Sequence, residues 1–154
     1  RDDARASRVT IGVTTGGALL GAASVVLDYD PDRVRLDGAG DDPAVRAAVQ
    51  DLTGGALLSK GAPNNQDHDG DRAPDRLRFT LVAAAGVAEG NLLRVTYALC
   101  AGEALPLTDP QEFTALPGVG DYVCAVVPGT AIAADAVTPL PGAACVLAVE
   151  NGNP

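Results

Sequence analysis

The segment from Ser24 to Asp37 constrains the fold of this chain more than any other. Its apolar residues alternate with other residues on both sides of a central turn: Val25, Leu27 and Tyr29 before it, Val34 and Leu36 after it. An alternation with a period of two is the pattern of a β-strand with one buried face. The intervening Asp30-Pro31-Asp32 has the composition of a tight turn. Two strands separated by one proline turn predict a β-sandwich.

The amino-acid composition favours the same class of fold. At 154 residues the chain is long enough for one domain with a sizeable core. Apolar residues make up 47% of it and aromatic residues only 3%, with no Trp and no Met, so the core is expected to consist of Val, Leu, Ala and Ile. Branched side chains favour strands. The 18 Gly and 11 Pro favour many turns over long helices, and we expect an all-β protein.

The charge of the chain excludes several kinds of partner. Eleven basic and twenty acidic residues give a net charge of -9. Such a surface repels phosphate backbones and anionic lipids, which predicts no nucleic-acid binding. No apolar run approaches the roughly 20 residues of a membrane-spanning helix, which predicts no membrane insertion. The sequence begins at Arg1 rather than Met, and we interpret it as a processed form of a secreted, cell-surface or periplasmic protein.

Strand patterns recur along the whole chain, and we expect eight or nine antiparallel strands with one or two short helices. The predicted strands are Val9–Val13, Ala22–Tyr29, Arg33–Asp37, Ala56–Lys60, Arg76–Leu81, Leu93–Leu99, Asp121–Val127, Ala131–Leu140 and Ala143–Val149. The strands Arg76–Leu81 and Leu93–Leu99 are expected to form a hairpin or to be near neighbours in one sheet. Both faces of Asp121–Val127 and Ala143–Val149 are fairly apolar, which predicts central strands or strands covered on both sides.

One short helix is predicted over an edge or end of the sandwich. Asp42-Pro43 is a helix start, because the carboxylate can cap free amides and the proline ring presets the helical backbone angle. Apolar residues then follow at helical spacing: Val45, Ala48, Val49 and Leu52. Gly54-Gly55 is expected to end the helix. A further helical turn is predicted at Thr108–Phe113, within an irregular stretch from 101 to 120.

The three cysteines, Cys100, Cys124 and Cys145, allow at most one disulfide within the chain. No pair has CxxC spacing, so a structural disulfide with one buried thiol is preferred over a zinc site or a thiol nucleophile. We favour the pair Cys100 and Cys124 slightly, because they bracket a long connection without periodicity. Cys145 stays open as the alternative partner. A disulfide is typical of exported proteins.

An acidic loop contains the only dense group of oxygen donors in the sequence: Asn65, Asp67, Asp69, Asp71 and Asp75. Donors at alternate residues around Gly70 can surround Ca²⁺. If Asn65 is position one of an EF-hand, Arg76 takes position twelve, where a bidentate glutamate belongs, so the loop is not an EF-hand. Two interpretations stay open: a structural calcium site, and a solvated turn of Asx and glycine residues.

No catalytic constellation is recognisable, and we predict that the chain is not an enzyme. His68 is the only histidine, and no nucleophile or second imidazole lies near it in the sequence. The three serines, Ser7, Ser24 and Ser59, lie in no GxSxG motif.

Three segments resemble the cohesin family. Val25–Leu36 resembles its apolar strand that runs into Tyr-Asp-Pro and then a short strand. Arg76–Leu81 followed by Glu89–Tyr97 is similar to its paired strands, and Val9–Val13 is similar to its first strand. The resemblance covers residues 8 to 99 closely and the C-terminal third loosely. It implies a nine-stranded jelly-roll sandwich, secreted or surface-attached, whose flat sheet face binds the helices of a dockerin module.

Two functional hypotheses follow. The first is a non-catalytic extracellular module that binds a partner, such as a dockerin-like module, through a sheet face. The second is a structural subunit that packs with copies of itself into a fibre, or an accessory subunit of a surface complex, through edge contacts. The domain is expected to span 8–150, between a flexible segment 1–7 and a tail 151–154. No cofactor is expected other than structural Ca²⁺, and the pattern alone identifies no docking face.

Overall fold

A computed structural model describes residues 6–99 and 119–152, with the backbone alone at 151 and 152. Ten strands cover most of these residues: β1 (Ala6–Thr14), β2 (Leu20–Tyr29), β3 (Val34–Arg35), β4 (Val49–Asp51), β5 (Asn64–Gln66), β6 (Arg76–Val87), β7 (Gly90–Leu99), β8 (Tyr122–Val126), β9 (Ile132–Ala133) and β10 (Ala144–Gly152). One α-helix, α1 (Pro43–Ala47), lies between β3 and β4. Short 3-10 turns occupy Leu58–Gly61 and Val119–Asp121.

The strands form two antiparallel five-stranded sheets. Sheet A has the order β10-β1-β7-β3, with β4 also paired to β7. Sheet B has the order β5-β6-β2-β8, with β9 also paired to β2. The chain passes repeatedly from one sheet to the other, as in a jelly roll. The prediction of an all-β antiparallel sandwich is confirmed.

The core lies between the sheets and is built from the inward side chains of the long strands. Its most deeply buried members come from both sheets: Val9, Ile11, Val25, Leu27, Leu77, Phe79, Val95 and Tyr97. Three tyrosine rings form a row in this layer, with Tyr97 in the middle. The ring centroids are 4.9 Å apart for Tyr29 and Tyr97 and 5.5 Å apart for Tyr97 and Tyr122. The expected core of branched aliphatic residues is thus present, with a tyrosine row at one end.

The proline turn forms as predicted. The Asp30 carbonyl accepts hydrogen bonds from the backbone N–H groups of Arg33 and Val34, each at 3.0 Å. The Asp30 carboxylate also accepts from the Asp32 backbone N–H at 2.9 Å. All these partners lie within four residues, so local sequence alone is enough to specify the turn. β3 is shorter than predicted, with only Val34 and Arg35 paired to β7.

The prediction that Arg76–Leu81 and Leu93–Leu99 are neighbours in one sheet is wrong. β6 pairs with β2 and β5 in sheet B, whereas β7 pairs with β1, β3 and β4 in sheet A. Both strands turn an apolar face to the same core, because the connection between them crosses from one sheet to the other. An alternating pattern shows which face of a strand is buried. It does not show whether another strand with the same pattern lies beside it in one sheet or opposite it in the other sheet.

The helix begins where predicted but ends early. The Asp42 carboxylate caps it by accepting from the Ala44 N–H at 2.9 Å. The helix stops at Ala47. Val49 belongs to β4 instead of the helix, and it pairs with Val95 of β7. The edge of β7 that is not paired with β1 supplies hydrogen bonds to this segment, and that tertiary pairing overrides the helical spacing.

Two other strand predictions are also corrected. The predicted strand Ala56–Lys60 is replaced by the 3-10 turn Leu58–Gly61. A strand forms instead at Asn64–Gln66, inside the segment interpreted as a loop, because it pairs with β6. Of Ala131–Leu140, only Ile132–Ala133 is a strand.

β8 and β10 are not central strands within the described residues. Each lies at the end of its sheet, β8 beside β2 and β10 beside β1. Their outward valines are therefore exposed, Val123 by 62% and Val146 by 46%. An apolar residue on the second face of a strand does not require a cover, since much of a protein's surface is apolar.

The first and last strands reach the two ends of the described residues. β1 begins at Ala6, and Ser7 is fully buried. β10 continues to Gly152. The helical turn predicted at Thr108–Phe113 lies outside the described residues. Within the described ranges no helix is long and apolar enough to cross a membrane.

Candidate functional site

The outward side chains of β2, β6 and β8 form a surface that we call the sheet B face. It consists of Ala22, Ser24, Val26, Arg78, Thr80, Val82, Val123 and Ala125. Val26 lies at its centre, between Arg78 on β6 and Ala125 on β8. Of these eight side chains only that of Arg78 is charged; the next outward residues of β2 and β6, Asp28 and Arg76, are both charged and lie at one end of the face. This is a weakly charged sheet surface with exposed valines.

One end of the sheet B face is closed by an ion pair. The Arg76 guanidinium donates to both carboxylate oxygens of Asp28, from Nε at 2.6 Å and from a terminal nitrogen at 2.9 Å. The two residues are directly opposite on β6 and β2. A bidentate pair of this kind fixes both side chains. The charged end of the face is therefore neutralised within the sheet.

The other end of the sheet B face opens into a small apolar cavity of about 240 Å³. Its walls come from β2, β6 and the segment that contains β9: Gly21, Ala22, Val82, Ala84, Ile132 and Ala134. β9 approaches closely because residue 21 is glycine: a Cβ there would lie 2.5 Å from the Ala133 carbonyl oxygen. The cavity can accept an aliphatic side chain that projects from a molecule lying on the face.

The outer face of sheet A differs in charge. Arg8, Arg94 and Glu150 all point outward from its strands. Arg8 lies opposite Glu150, and Arg94 lies on the neighbouring row. Of the two outer faces, that of sheet B is the better surface for apolar contacts.

The acidic loop places three of the five predicted donors together. Carboxylate oxygens of Asp67, Asp69 and Asp71 lie within 4.8 Å of one another, and all three side chains are exposed. Asp67 also accepts hydrogen bonds from the backbone N–H groups of Gly70 and Arg72, at 2.9 and 2.6 Å. Such side-chain to backbone bonds are those of an Asx turn. The loop thus combines turn geometry with a group of hard oxygen donors.

The other two predicted donors have partners of their own. Asn65 is buried, with its Oδ1 accepting from the Tyr29 hydroxyl at 2.5 Å and its Nδ2 donating to the Gly38 carbonyl at 2.9 Å. Asp75 is also buried and accepts from the His68 backbone N–H at 2.9 Å. Its Oδ1 lies 2.8 Å from His68 Nδ1. Asn65 is therefore directed away from the three exposed aspartates, and Asp75 is occupied by His68.

The crowded carboxylates shift each other's protonation. Hydrogen bonding from the Asp71 backbone lowers the pKa of Asp69, but desolvation and hydrogen bonds with the other carboxyls of the loop outweigh it and raise the pKa to about 6. Burial alone raises the pKa of Asp75, but the hydrogen bonds from His68 outweigh burial and lower it. The loop therefore keeps one carboxyl protonated at mildly acidic pH.

The disulfide pairing favoured from sequence is corrected by the structure. Cys124 on β8 bonds to Cys145 on β10, the alternative partner, with a Cα–Cα distance of 5.8 Å. Both cysteines are at inward positions, Cys124 opposite Leu27 and Cys145 opposite Val13. The bond joins the end strand of sheet B to the end strand of sheet A. Cys100 lies outside the described residues.

Several features of the surface were not found by sequence reasoning. The sheet B face was missed because its residues lie at the second parity of strands whose first parity already accounts for the core. Val26 and Val82 are the available signals, since each is apolar at an outward position. The cavity depends on the contact between β2 and β9, which no local pattern encodes.

No protein-family model and no curated protein matches the chain. Two solved structures are similar to it. One is a crystal structure of a dockerin–cohesin complex (CaDoc–CaCohA), with 13% identity over 86% of this chain and 78% of the other, and a TM-score of 0.43. The other is a cohesin module from a family 33 glycoside hydrolase of Clostridium perfringens, with 10% identity over 90% and 77%, and a TM-score of 0.42. Both findings concern cohesins, the family that the sequence resembles, but similarity at this level does not carry the functional argument.

Proposed function

We propose that this chain is a non-catalytic protein-interaction module that binds its partner through the sheet B face. The observation that carries the proposal is the exposed, weakly charged surface around Val26, Val82 and Val123 on an acidic protein. A few well-packed residues near the centre of an interface supply most of its binding energy, and the valines lie where a partner's anchoring side chains would pack. The adjoining cavity of about 240 Å³ offers a place for an anchoring side chain.

The partner proposed is a dockerin-like module that presents an aliphatic side chain on a helix. Support comes from the cohesin resemblance of the strands that build the face, β2 and β6. A helix laid on a sheet can place one apolar side chain in the cavity and others over Val26. We expect the contacting surface of the partner to be mostly uncharged, because Arg76 and Asp28 on this chain neutralise each other.

The absence of catalysis is part of the proposal. Three of the cavities on the described residues have volumes of about 240, 420 and 500 Å³. No Ser, Cys or His lines these three cavities, so none of them holds the serine–histidine or cysteine–histidine pair of a hydrolase. His68 and Asp75 form a pair in the acidic loop, and they line none of the three.

Calorimetric titration with a panel of purified dockerin modules tests the proposal. Val82→Asp places a charge at the mouth of the cavity and is expected to weaken binding at least roughly tenfold, since an interface anchor contributes more than about 1.4 kcal/mol. Val146→Asp is the matched control, because this valine is exposed to a similar degree on the outer face of sheet A. Equal weakening by both substitutions, or no binding to any module, would contradict the proposal.

Self-association is the second candidate function, and one observation favours it. β10 spans nine residues and has a free edge within the described part of the chain. A long edge strand is a template for pairing with another chain. A structural subunit could add a strand there while leaving the sheet B face uncovered.

We also propose that the acidic loop binds Ca²⁺ in a structural role. Asp67, Asp69 and Asp71 supply the donors, and binding would neutralise their mutual repulsion. Added Ca²⁺ is expected to raise the melting temperature at pH 7, and EDTA is expected to reverse the rise. Asp71→Asn should reduce the effect, whereas Asp41→Asn, in another exposed loop, should not. An unchanged melting temperature in saturating Ca²⁺ rejects the site.

The proposed location is outside the cytoplasm. The bond between Cys124 and Cys145 joins the two sheets and is expected to persist only in an oxidising compartment. Secretion, attachment to the cell surface and the periplasm all satisfy this condition.

A further inference from the structure

A second cavity, of about 420 Å³, lies on the outer face of sheet A beneath α1. Small side chains form much of its wall, from α1 and from the adjoining strands: Ala44, Ala47, Ala48, Ala6 and Ala98. The alanines leave room because α1 packs through Val45, which is fully buried, and turns its alanines toward the cavity. The cavity is on the opposite side of the sandwich from the sheet B face. A ligand bound there would not depend on the partner proposed for the sheet B face.

Charged side chains border this alanine-lined space. Arg8 projects outward from β1 and Arg35 from β3, with β7 between them. Two strand spacings place the backbones of these strands roughly 10 Å apart, a span that long arginine side chains can share with a small ligand. Asp37 lines the same cavity. The lining of the cavity therefore contains two guanidinium groups and one carboxylate, and Glu150 lies opposite Arg8 on β10, on the side of β1 away from β7.

We propose that this cavity binds a single carboxylate group of a peptide, with Arg8 as the principal donor. A guanidinium matches a carboxylate with two parallel hydrogen bonds. Asp37 opposes a doubly charged phosphate but tolerates a singly charged group. The alanine wall suits the methyl or methylene groups next to the carboxylate. Thr96, which lies opposite Arg8 on β7, adds a hydroxyl to the lining.

Arg8 is the better residue for a test of this proposal. Its side chain is half-buried at the cavity, whereas Arg35 is exposed and already interacts with another group of the protein. Arg8→Met keeps an apolar stem of similar length and removes the charge. Arg94→Met is the matched control, because Arg94 lies on the same outer face but does not line the cavity.

Nuclear magnetic resonance titration of the full chain is the experiment. The probes are acetyl-tetraalanine with a free C-terminal carboxylate, the same peptide amidated, and an amidated peptide with one aspartate. The free carboxylate is expected to shift the amide resonances of Ala44, Ala47 and Thr96, and the fully amidated peptide is not. The aspartate peptide shows whether a side-chain carboxylate serves as well as a chain terminus, and binding of either acidic probe supports the proposal.

The variants decide whether the site is specific. Arg8→Met should weaken binding of the acidic probe roughly tenfold, the effect expected for a lost charged hydrogen bond. Arg94→Met should change it less than about twofold. Equal weakening by both variants would show attraction to the whole face rather than a site and would overturn the proposal. Equal binding of the amidated peptide, or no shifts with either acidic probe, would also overturn it.

Discussion

Tyr97 is fully buried in the core. Its ring lies between those of Tyr29 and Tyr122, and its hydroxyl has no hydrogen-bond partner among the described residues. The neighbouring hydroxyls are both satisfied, that of Tyr29 by Asn65 and that of Tyr122 by Ser7 at 2.8 Å. A buried polar atom without a partner costs free energy of folding. The three tyrosines therefore make unequal contributions to stability.

Tyr97→Phe is expected to raise the free energy of unfolding by about 1 kcal/mol, because it removes the unpaired hydroxyl and keeps both ring contacts. Tyr122→Phe is the matched comparison and should lower it by about 1 kcal/mol, since Ser7 then loses its partner in a buried position. Urea denaturation of both variants measures the difference. A Tyr97→Phe variant as destabilised as Tyr122→Phe would contradict this account.

The acidic loop predicts a dependence of stability on pH in the absence of Ca²⁺. The pKa of Asp69 rises from 3.8 to about 6 in the folded state, so between these values the folded chain binds more protons than the unfolded chain. The contribution of Asp69 to stability is therefore full below pH about 4 and is lost as the pH rises through about 6. Asp69→Asn should flatten the melting temperature over this window, and Asp41→Asn should not. A slope unchanged by Asp69→Asn would refute the shift.

At the residue scale, the sequence specifies the contacts whose partners are close in the chain. The turn at Asp30 and the helix cap at Asp42 were both predicted, because each bonds an amide within four residues. The pairing of Tyr122 with Ser7 spans 115 positions and was not predictable. Asp75 was predicted as an exposed donor of the loop, whereas in the structure it is buried and accepts from His68.

At the element scale, the decisive feature is how the two sheets are joined. β8 ends sheet B and β10 ends sheet A, and the disulfide connects them along one side of the sandwich. Cys124 and Cys145 are separated by 21 positions, with β9 between them. The bond therefore restricts the unfolded chain over the segment that also forms the wall of the apolar cavity.

Removing the disulfide with Cys124→Ser is expected to lower the free energy of unfolding by about 3 kcal/mol, the loop-entropy value for a segment of this length. Cys100→Ser is the control and should leave the bond between Cys124 and Cys145 formed. Urea denaturation measures both variants, and peptide mapping of the unreduced chain should recover Cys124 linked to Cys145. Recovery of Cys100 in the linked peptide would contradict the pairing.

The fate of the segment around Val49 shows why elements were predicted unevenly. Strong alternation identified β1, β2, β6 and β7, because a long run constrains the period. Val49 has helical spacing to Val45 and is also β-branched, and the open edge of β7 decided between the two structures. Short elements depend on which partner is available, which the local pattern does not encode.

At the scale of the whole molecule, the sandwich presents two outer faces of different chemistry. The sheet B face is weakly charged and ends in an apolar cavity, whereas the outer face of sheet A carries arginines and a cavity beneath α1. Every second side chain of a strand points outward, so the outward residues of the two sheets can differ in chemistry while both sheets share one core. The two proposed binding sites therefore lie on opposite faces and do not overlap.

The isolated chain is expected to be a monomer of 15.4 kDa. Its net charge of -9 opposes self-association, and neither cavity requires a second copy to be complete. Size-exclusion chromatography with light scattering measures the mass over a range of concentrations. A mass that rises with concentration would favour the structural-subunit alternative, in which the edge of β10 pairs with another chain.

Sequence by itself determined the class of fold, the composition of the core and the local turns, because period, branching and short-range hydrogen bonds act along the chain. Only the tertiary structure decided which strands share a sheet, which cysteines meet and which residues lie on an outer face. Those choices depend on contacts such as β2 with β9 and β8 with β10, between segments whose patterns are the same whichever partner they find.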